Sequence, residues 1–334
     1  MITDARVLQQ EFIPKEVQHR DNEVNYLSSI LEPITQGRSV EPTLLYGPSG
    51  VGKTCISQFL LEELRRTVVD LNTQYVNCWE DYTRFKTLYQ LLDGVEKAVD
   101  IHRQSTPRDV LLDRLRGYDG APYVVILDEV DQLQDKELLY DLHRIQSLTL
   151  ILIANREEEV FSPLDERLHS RLRNTNRIHF TPYSNDEIVT ILQDRAHWGL
   201  EEGVLTEAEL HEIADYSTGD ARVAIGILRK AARTAQQESA DRITPGIIAD
   251  VVSEAKLEIE QQTISQLTPH QRVLYDIIHE EGQIDPPALY QKYQSRVDDP
   301  KTQRTVRNYL AKLDHYNLIE ADGNTKARTY RAIA

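Results

Sequence analysis

The octapeptide Gly47-Pro48-Ser49-Gly50-Val51-Gly52-Lys53-Thr54 has the residue types and spacing needed to enclose a phosphate. Its glycines let backbone N–H groups close around an anion, and a following helix turns its positive end toward the same charge. Lys53 would reach the β- and γ-phosphates of a nucleotide, and the Thr54 hydroxyl would ligate Mg²⁺. A second group lies in Val124-Val125-Ile126-Leu127-Asp128-Glu129-Val130-Asp131, where an apolar run ends in adjacent carboxylates. Asp128 is expected to hold Mg²⁺, directly or through water. Glu129 is expected to accept a proton from, or to orient, the water that attacks the γ-phosphate. Asn155, closing the next apolar run, is placed to hydrogen-bond that water or the γ-phosphate; its plainer reading is a turn residue.

These groups need a scaffold that brings them to one edge. Thr43–Tyr46, Gln74–Cys78, Tyr123–Leu127 and Leu148–Ile153 read as strands, the last two nearly all apolar and β-branched. Continuously apolar strands separated by helical segments (Cys55 to about Arg66, Thr83 to about Val99) predict a parallel sheet covered on both faces. Ligands bind at the carboxyl edge of such a sheet. From Ser184 to about Ile259 only helical periods follow, interrupted at 199–203, Gly219 and Pro245.

From Thr268 the pattern changes. Thr268-Pro269 starts a helix with an apolar face of Val273, Leu274, Ile277 and Ile278, and Gly282 stops it. Pro286-Pro287 opens a second helix and Pro300 a third, in which Val306, Leu310 and Leu313 point inward. Lys301, Thr302, Arg304, Thr305, Arg307 and Asn308 are left for its exposed side. Two short strands, joined at the hairpin signal Asp322-Gly323, complete the segment, with Lys326 and Arg328 in the wing between them. Helices followed by a β-hairpin predict a winged helix-turn-helix whose third helix enters the major groove of double-stranded DNA. A winged helix used for protein contact fits the same pattern.

Charge weighs on that choice. The 334 residues carry 38 Lys and Arg against 54 Asp and Glu, a net charge of −16. The acidity is uneven, because residues 300–334 hold 7 basic and 3 acidic side chains. That net-basic stretch coincides with the proposed DNA reader. Lysine is scarce, 11 against 27 Arg, and an acidic, Lys-poor chain suits a protein kept soluble in high salt. No apolar run approaches the ~20 residues of a membrane span, and no signal layout opens the chain. Cys55 and Cys78 have neither zinc nor redox spacing, so a cytoplasmic setting without membrane contact is expected.

With these pieces in order the chain resembles AAA+ ATPases, and more narrowly the archaeal origin-recognition and cell-division-control replication initiators. The resemblance runs through Ile13-Pro14, His19-Arg20, Leu44–Thr54, Leu127–Asp131, Asn155, Leu164–Leu172, Phe180–Tyr183 and Gly219-Asp220-Ala221-Arg222. It implies an α/β parallel-sheet P-loop AAA+ domain over residues 1–180, an all-α lid over 181–260, and an α+β winged-helix domain over 261–334. It also implies that Arg167 or Arg171 acts on the γ-phosphate of a neighbouring subunit, for which a planar, permanently charged guanidinium is suited. Arg222 would reach from the lid onto the phosphates of its own subunit. Tyr183 and Arg195 would contact the nucleotide together with the loop from Gly47 to Cys55; bare pattern leaves them a core tyrosine and an exposed helical arginine. The function implied is an ATP-dependent initiator that binds origin DNA, assembles with other initiator subunits and helps recruit or load the replicative helicase. ATP and ADP would be its cofactors, with Mg²⁺, and hydrolysis a slow switch. A regulatory ATPase acting in transcription or plasmid maintenance is the alternative.

Overall fold

In the computed structural model, residues 1–102, 106–161, 172, 174–316, 318–323 and 328–333 are described. The chain forms two compact units, Met1–Val252 and Ser253–Ala334.

The first unit is built on five parallel strands: β1 (Thr43–Tyr46), β2 (Asn72–Asn77), β3 (Tyr123–Asp128), β4 (Leu148–Ala154) and β5 (Asn176–His179). Their order is β2-β3-β4-β1-β5. Strands β3 and β4 are buried along their whole length, which is why they read as continuous apolar runs rather than alternating ones. Successive residues supply opposite layers. Leu45, Val124, Ile126, Ile151 and Ile153 pack with α1 (Asp21–Leu31) and α2 (Lys53–Thr67), where Leu27, Leu31, Ile56 and Leu60 meet them. Leu44, Val125, Leu127, Leu150 and Leu152 face α3 (Arg84–Asp93), α4 (Arg108–Arg116) and α5 (Glu137–His143). A short α6 (Glu157–Phe161) follows β4.

Three helices, α7 (Asn185–Gly199), α8 (Glu207–Ser217) and α9 (Ala221–Gln237), make the helical segment, followed by α10 (Pro245–Ser265). Ser184 with Glu187, and Thr206 with Glu209, cap α7 and α8 reciprocally, so each start is written in four residues. The predicted strand over Gln74–Cys78 instead covers Asn72–Asn77, paired with β3 from Asn72↔Tyr123 to Asn77↔Asp128. The predicted Thr83–Val99 helix stops at Asp93. Glu96 enters the left-handed region and Lys97 N–H returns to the Leu92 carbonyl, which closes the helix end.

The second unit holds α11 (Pro269–Glu281), β6 (Gln283–Ile284), α12 (Pro286–Arg296), α13 (Gln303–His315), β7 (Ile319–Asp322) and β8 (Thr329–Ala332). Its antiparallel sheet has the order β6-β8-β7, one strand more than the sequence pattern suggested. Leu274, Ile277, Ile278, Leu289, Tyr293, Val306, Leu310, Leu313, Ile319 and Tyr330 are buried within it. Pro300 does not open the third helix. The Tyr290 hydroxyl donates to the Lys301 carbonyl and Lys301 N–H donates to the Tyr293 hydroxyl, which hold that residue's backbone outside the helix. Thr302 then caps α13 through Thr305 N–H. The two strands are not joined at an Asp322-Gly323 turn, because Asp322 pairs with Thr329.

Candidate functional site

The strand order sets the geometry. β4 lies between β1 and β3, so the phosphate loop after β1, Asn155 after β4 and Asp128 at the end of β3 meet at one carboxyl edge. The loop needs its glycines. Gly47 has φ 147°, and a side chain there would place Cβ 2.0 Å from the Phe180 carbonyl oxygen. Lys53 is only 7% exposed. Its Nζ donates to the carbonyls of Gly47 (2.7 Å) and Pro48 (2.6 Å) and to Asn155 Oδ1 (3.2 Å). Burial pushes its ammonium down to about 8, opposed by the charge of Asp128.

Asp128 collects three donors. Thr54 Oγ1 (2.7 Å) and Tyr75 Oη (2.9 Å) both donate to Oδ2, and Glu129 N–H (2.8 Å) donates to Oδ1. Burial raises the carboxyl's pKa, and the Thr54 and Tyr75 hydrogen bonds oppose that shift. Glu129 is half-buried with a left-handed backbone (φ 53°).

The helical segment closes on the same loop. Asp220 caps α9, its Oδ1 accepting from the N–H groups of Arg222 (2.8 Å) and Val223 (3.3 Å). Ala221 N–H donates to the Gly50 carbonyl at 3.1 Å, and a Cβ on Gly50 would sit 1.9 Å from Asp220 Oδ1. Arg222 is thereby delivered to the loop's edge, its Nη2 donating to Asp220 Oδ2 at 3.1 Å. Its charge also contributes to lowering the Lys53 pKa. Tyr183 also reaches the loop, with its hydroxyl 2.6 Å from where a Gly52 Cβ would lie. Arg20 stacks over the Tyr183 ring at 4.2 Å and donates to the Thr181 carbonyl. His19 and Arg20 both have left-handed backbones, and His19 Nε2 and Arg20 Nε are buried without a hydrogen-bond partner. Nothing in the local pattern gave His19 and Arg20 a position, and Tyr75 had no signal beyond a tyrosine in a strand.

Arg195 corrects an expectation. It is 5% exposed rather than an exposed helical arginine. Its guanidinium donates to the carbonyls of Val7 (2.7 Å) and Phe12 (3.0 Å) and lies over the Phe12 ring. Together with the Ile2–Leu200 bridge and the Thr3 N–H bond to the Gly199 carbonyl, it ties the first dozen residues to α7. Cys55 stands in the first turn of α2, where burial raises its thiol pKa and the Arg195 charge opposes that rise.

In the second unit Arg304, Arg307 and Asn308 are exposed along α13, while Thr305 is half-buried. Thr302 is committed to capping and Lys301 pairs with Asp299. Arg328 is exposed and lies over the Tyr330 ring at 5.4 Å. Arg167, Arg171 and Lys326 lie outside the described residues.

The donor set fits a nucleotide with a hard divalent cation. Hydroxyl and carboxylate oxygens of Thr54 and Asp128 converge at 2.7 Å, and Mg²⁺ is commonly held by one or two carboxylates plus phosphates. Among the described residues no helix is long and apolar enough to cross a membrane.

Comparison with known proteins agrees with this arrangement. Residues 16–153 match the AAA ATPase domain and residues 189–256 the Cdc6 AAA+ ATPase-type lid domain. The fold is that of Aeropyrum pernix ORC1 solved in complex with DNA, at TM-score 0.76 and 24% identity over 99% of this chain and 92% of that one. Aeropyrum pernix ORC2, solved as ADPNP-ADP complexes, follows at TM-score 0.68 and 21% identity over 99% and 94% of the two chains. In sequence, ORC1-type DNA replication protein 1 of Halobacterium salinarum is 63% identical over 92% of this chain and all of its own length. That organism agrees with the high-salt reading of the composition. An AAA+ core, a Cdc6-type lid and an identity of that extent leave one assignment: the chain belongs to the ORC1-type DNA replication proteins.

Proposed function

We propose that this chain is an ATP-dependent replication initiator that binds double-stranded origin DNA, assembles with other initiator subunits and helps recruit the replicative helicase. The observation that carries the nucleotide half is the meeting of Lys53, Asn155, Thr54 and Asp128 at one sheet edge, with Arg222 delivered to the same loop. Gly47 to Cys55, with Tyr183 near the base of the lid, would hold ATP or ADP, Arg195 being committed instead to the Val7 and Phe12 carbonyls, and Thr54 and Asp128 would hold Mg²⁺. Bound together they supply a transferable γ-phosphoryl group with its charge partly neutralised. Glu129 would take a proton from the attacking water at its carboxylate, and Asn155 Oδ1 would fix that water's orientation. Arg222 would exchange Asp220 for phosphate oxygens, coupling lid position to the nucleotide state. Arg167 or Arg171 would complete the site of a neighbouring subunit. Domains of 1–180, 181–260 and 261–334 then divide the labour among hydrolysis, sensing and DNA contact.

For DNA the support is the exposed face of α13, in what we read as a winged helix, together with the DNA-bound state of the Aeropyrum pernix relative. Arg304, Arg307 and Asn308 would face base edges, with Lys301, Thr302 and Thr305 at the helix start; Lys326 and Arg328 would meet phosphates. Base contacts discriminate and phosphate contacts position. Arg304→Ala or Arg307→Ala in the full chain should relax sequence preference by about 1–3 kcal/mol per lost bidentate contact. Arg328→Ala should weaken all DNA alike and make the salt slope shallower by about one unit. Specific binding untouched by all three changes would refute the assignment of α13 and the wing.

A further inference from the structure

The geometry points to Tyr75 as a positioning residue for Asp128, setting which carboxylate oxygen is left to face a divalent cation. Tyr75 lies on β2, the edge strand beside β3, in register with Ile126. Although the residue as a whole is 37% exposed, its hydroxyl is turned inward onto Asp128 Oδ2 at 2.9 Å. Thr54 Oγ1 occupies the same oxygen at 2.7 Å. A carboxylate offers roughly four acceptor directions across its two oxygens. Two are taken on Oδ2 by hydroxyls, and one on Oδ1 by Glu129 N–H at 2.8 Å. The acceptor direction left over is on Oδ1.

Asp χ2 is a soft, broadly two-fold torsion, so the carboxylate plane is fixed by what it accepts rather than by rotamer preference. Glu129 N–H comes from the very next residue and moves with the Asp128 backbone. Thr54 comes from the phosphate loop, whose first helical turn also has to receive the ligand. Tyr75 is the donor that comes from neither. It reaches Asp128 from a neighbouring strand whose pairing is independent of the loop, so it holds Oδ2 in place whatever the loop does. Groups that orient metal-binding carboxylates in this way typically cost 10–100-fold in metal affinity or activity when removed.

This inference rests on the proposed nucleotide site and concerns how its carboxylate is held. The test is Tyr75→Phe in the full chain, which removes one oxygen and keeps the ring. ATP binding is measured by titration calorimetry in EDTA and across a Mg²⁺ series, followed by steady-state hydrolysis in saturating Mg²⁺. The expected result is unchanged affinity in EDTA, a Mg²⁺ half-saturation point raised about 10-fold, and recovery of turnover at high Mg²⁺. In an Asp128→Asn background the same change should shift nothing further. A wild-type Mg²⁺ response reproduced by Tyr75→Phe overturns the inference and leaves the nucleotide site standing. An equal loss of affinity with and without Mg²⁺ also overturns it, since that marks general damage to the sheet edge. A wild-type protein whose ATP binding ignores Mg²⁺ overturns the underlying reading and this inference with it.

Discussion

Replacing Lys53 with methionine should reveal a conflict between stability and nucleotide binding that can be sized from the structure. Lys53 is 7% exposed, and its pKa falls from 10.5 to about 8. At roughly 1.4 kcal/mol per pKa unit, holding that charge in the ligand-free fold costs about 3 kcal/mol. Against this stand three hydrogen bonds, to Gly47, Pro48 and Asn155, each worth about 1 kcal/mol net. The two effects are of equal size, so at pH 7 Lys53→Met should unfold within about 1–2 kcal/mol of wild type. The pH dependence separates them. A folded pKa below the unfolded one means that the full cost is present below pH 8. The unfolded chain binds more protons between about 8 and 10.5, so wild-type stability rises through that window relative to the variant, by about 3 kcal/mol in all. Urea unfolding of both proteins at pH 7, 8, 9 and 10, in ligand-free high-salt buffer, measures the difference curve. Other alkaline titrations are common to both and cancel. Parallel curves from pH 7 to 10 would show that the ammonium is not held at a cost, and the burial argument would fail. ATP affinity should be lost in the variant at every pH, because the loop's own cation is gone.

Two further outcomes follow from the same geometry. Glu129→Gln should keep ATP affinity within a few-fold while turnover falls by about 10²–10⁴, since only the proton acceptor is removed; parental turnover would send the search to another base. Arg195→Met should destabilise the nucleotide-free protein by about 2–4 kcal/mol, because two buried carbonyls lose a charged donor. Amide exchange at Thr3 and in 7–12 should rise with it. A weaker ATP affinity without that loss of stability would mean the guanidinium serves the nucleotide rather than the N-terminal segment.

How much of this was legible beforehand depends on how far apart the cooperating residues lie. The phosphate loop, the acidic strand end and the helix caps are contiguous. Gly47 to Thr54 turn the chain, Ser184 with Glu187 starts a helix, and continuous apolar runs announce doubly covered strands. Each rests on backbone conformation and spacing within a few residues, so the sequence by itself determines it. The uneven charge was equally plain, being a count. Helix ends are less legible. The left-handed Glu96 and the tyrosine bonds to Lys301 end or delay helices through contacts that periodicity does not register. The tertiary structure alone decided which oxygen of Asp128 receives a hydroxyl from β2, that Arg195 turns to Val7 and Phe12 rather than to solvent, and that Asp220 and Ala221, which begin the helix carrying Arg222, meet Gly50. In those cases the partners are separated by a strand crossover or by most of a unit, and which partner a long polar side chain takes depends on what burial leaves within its reach.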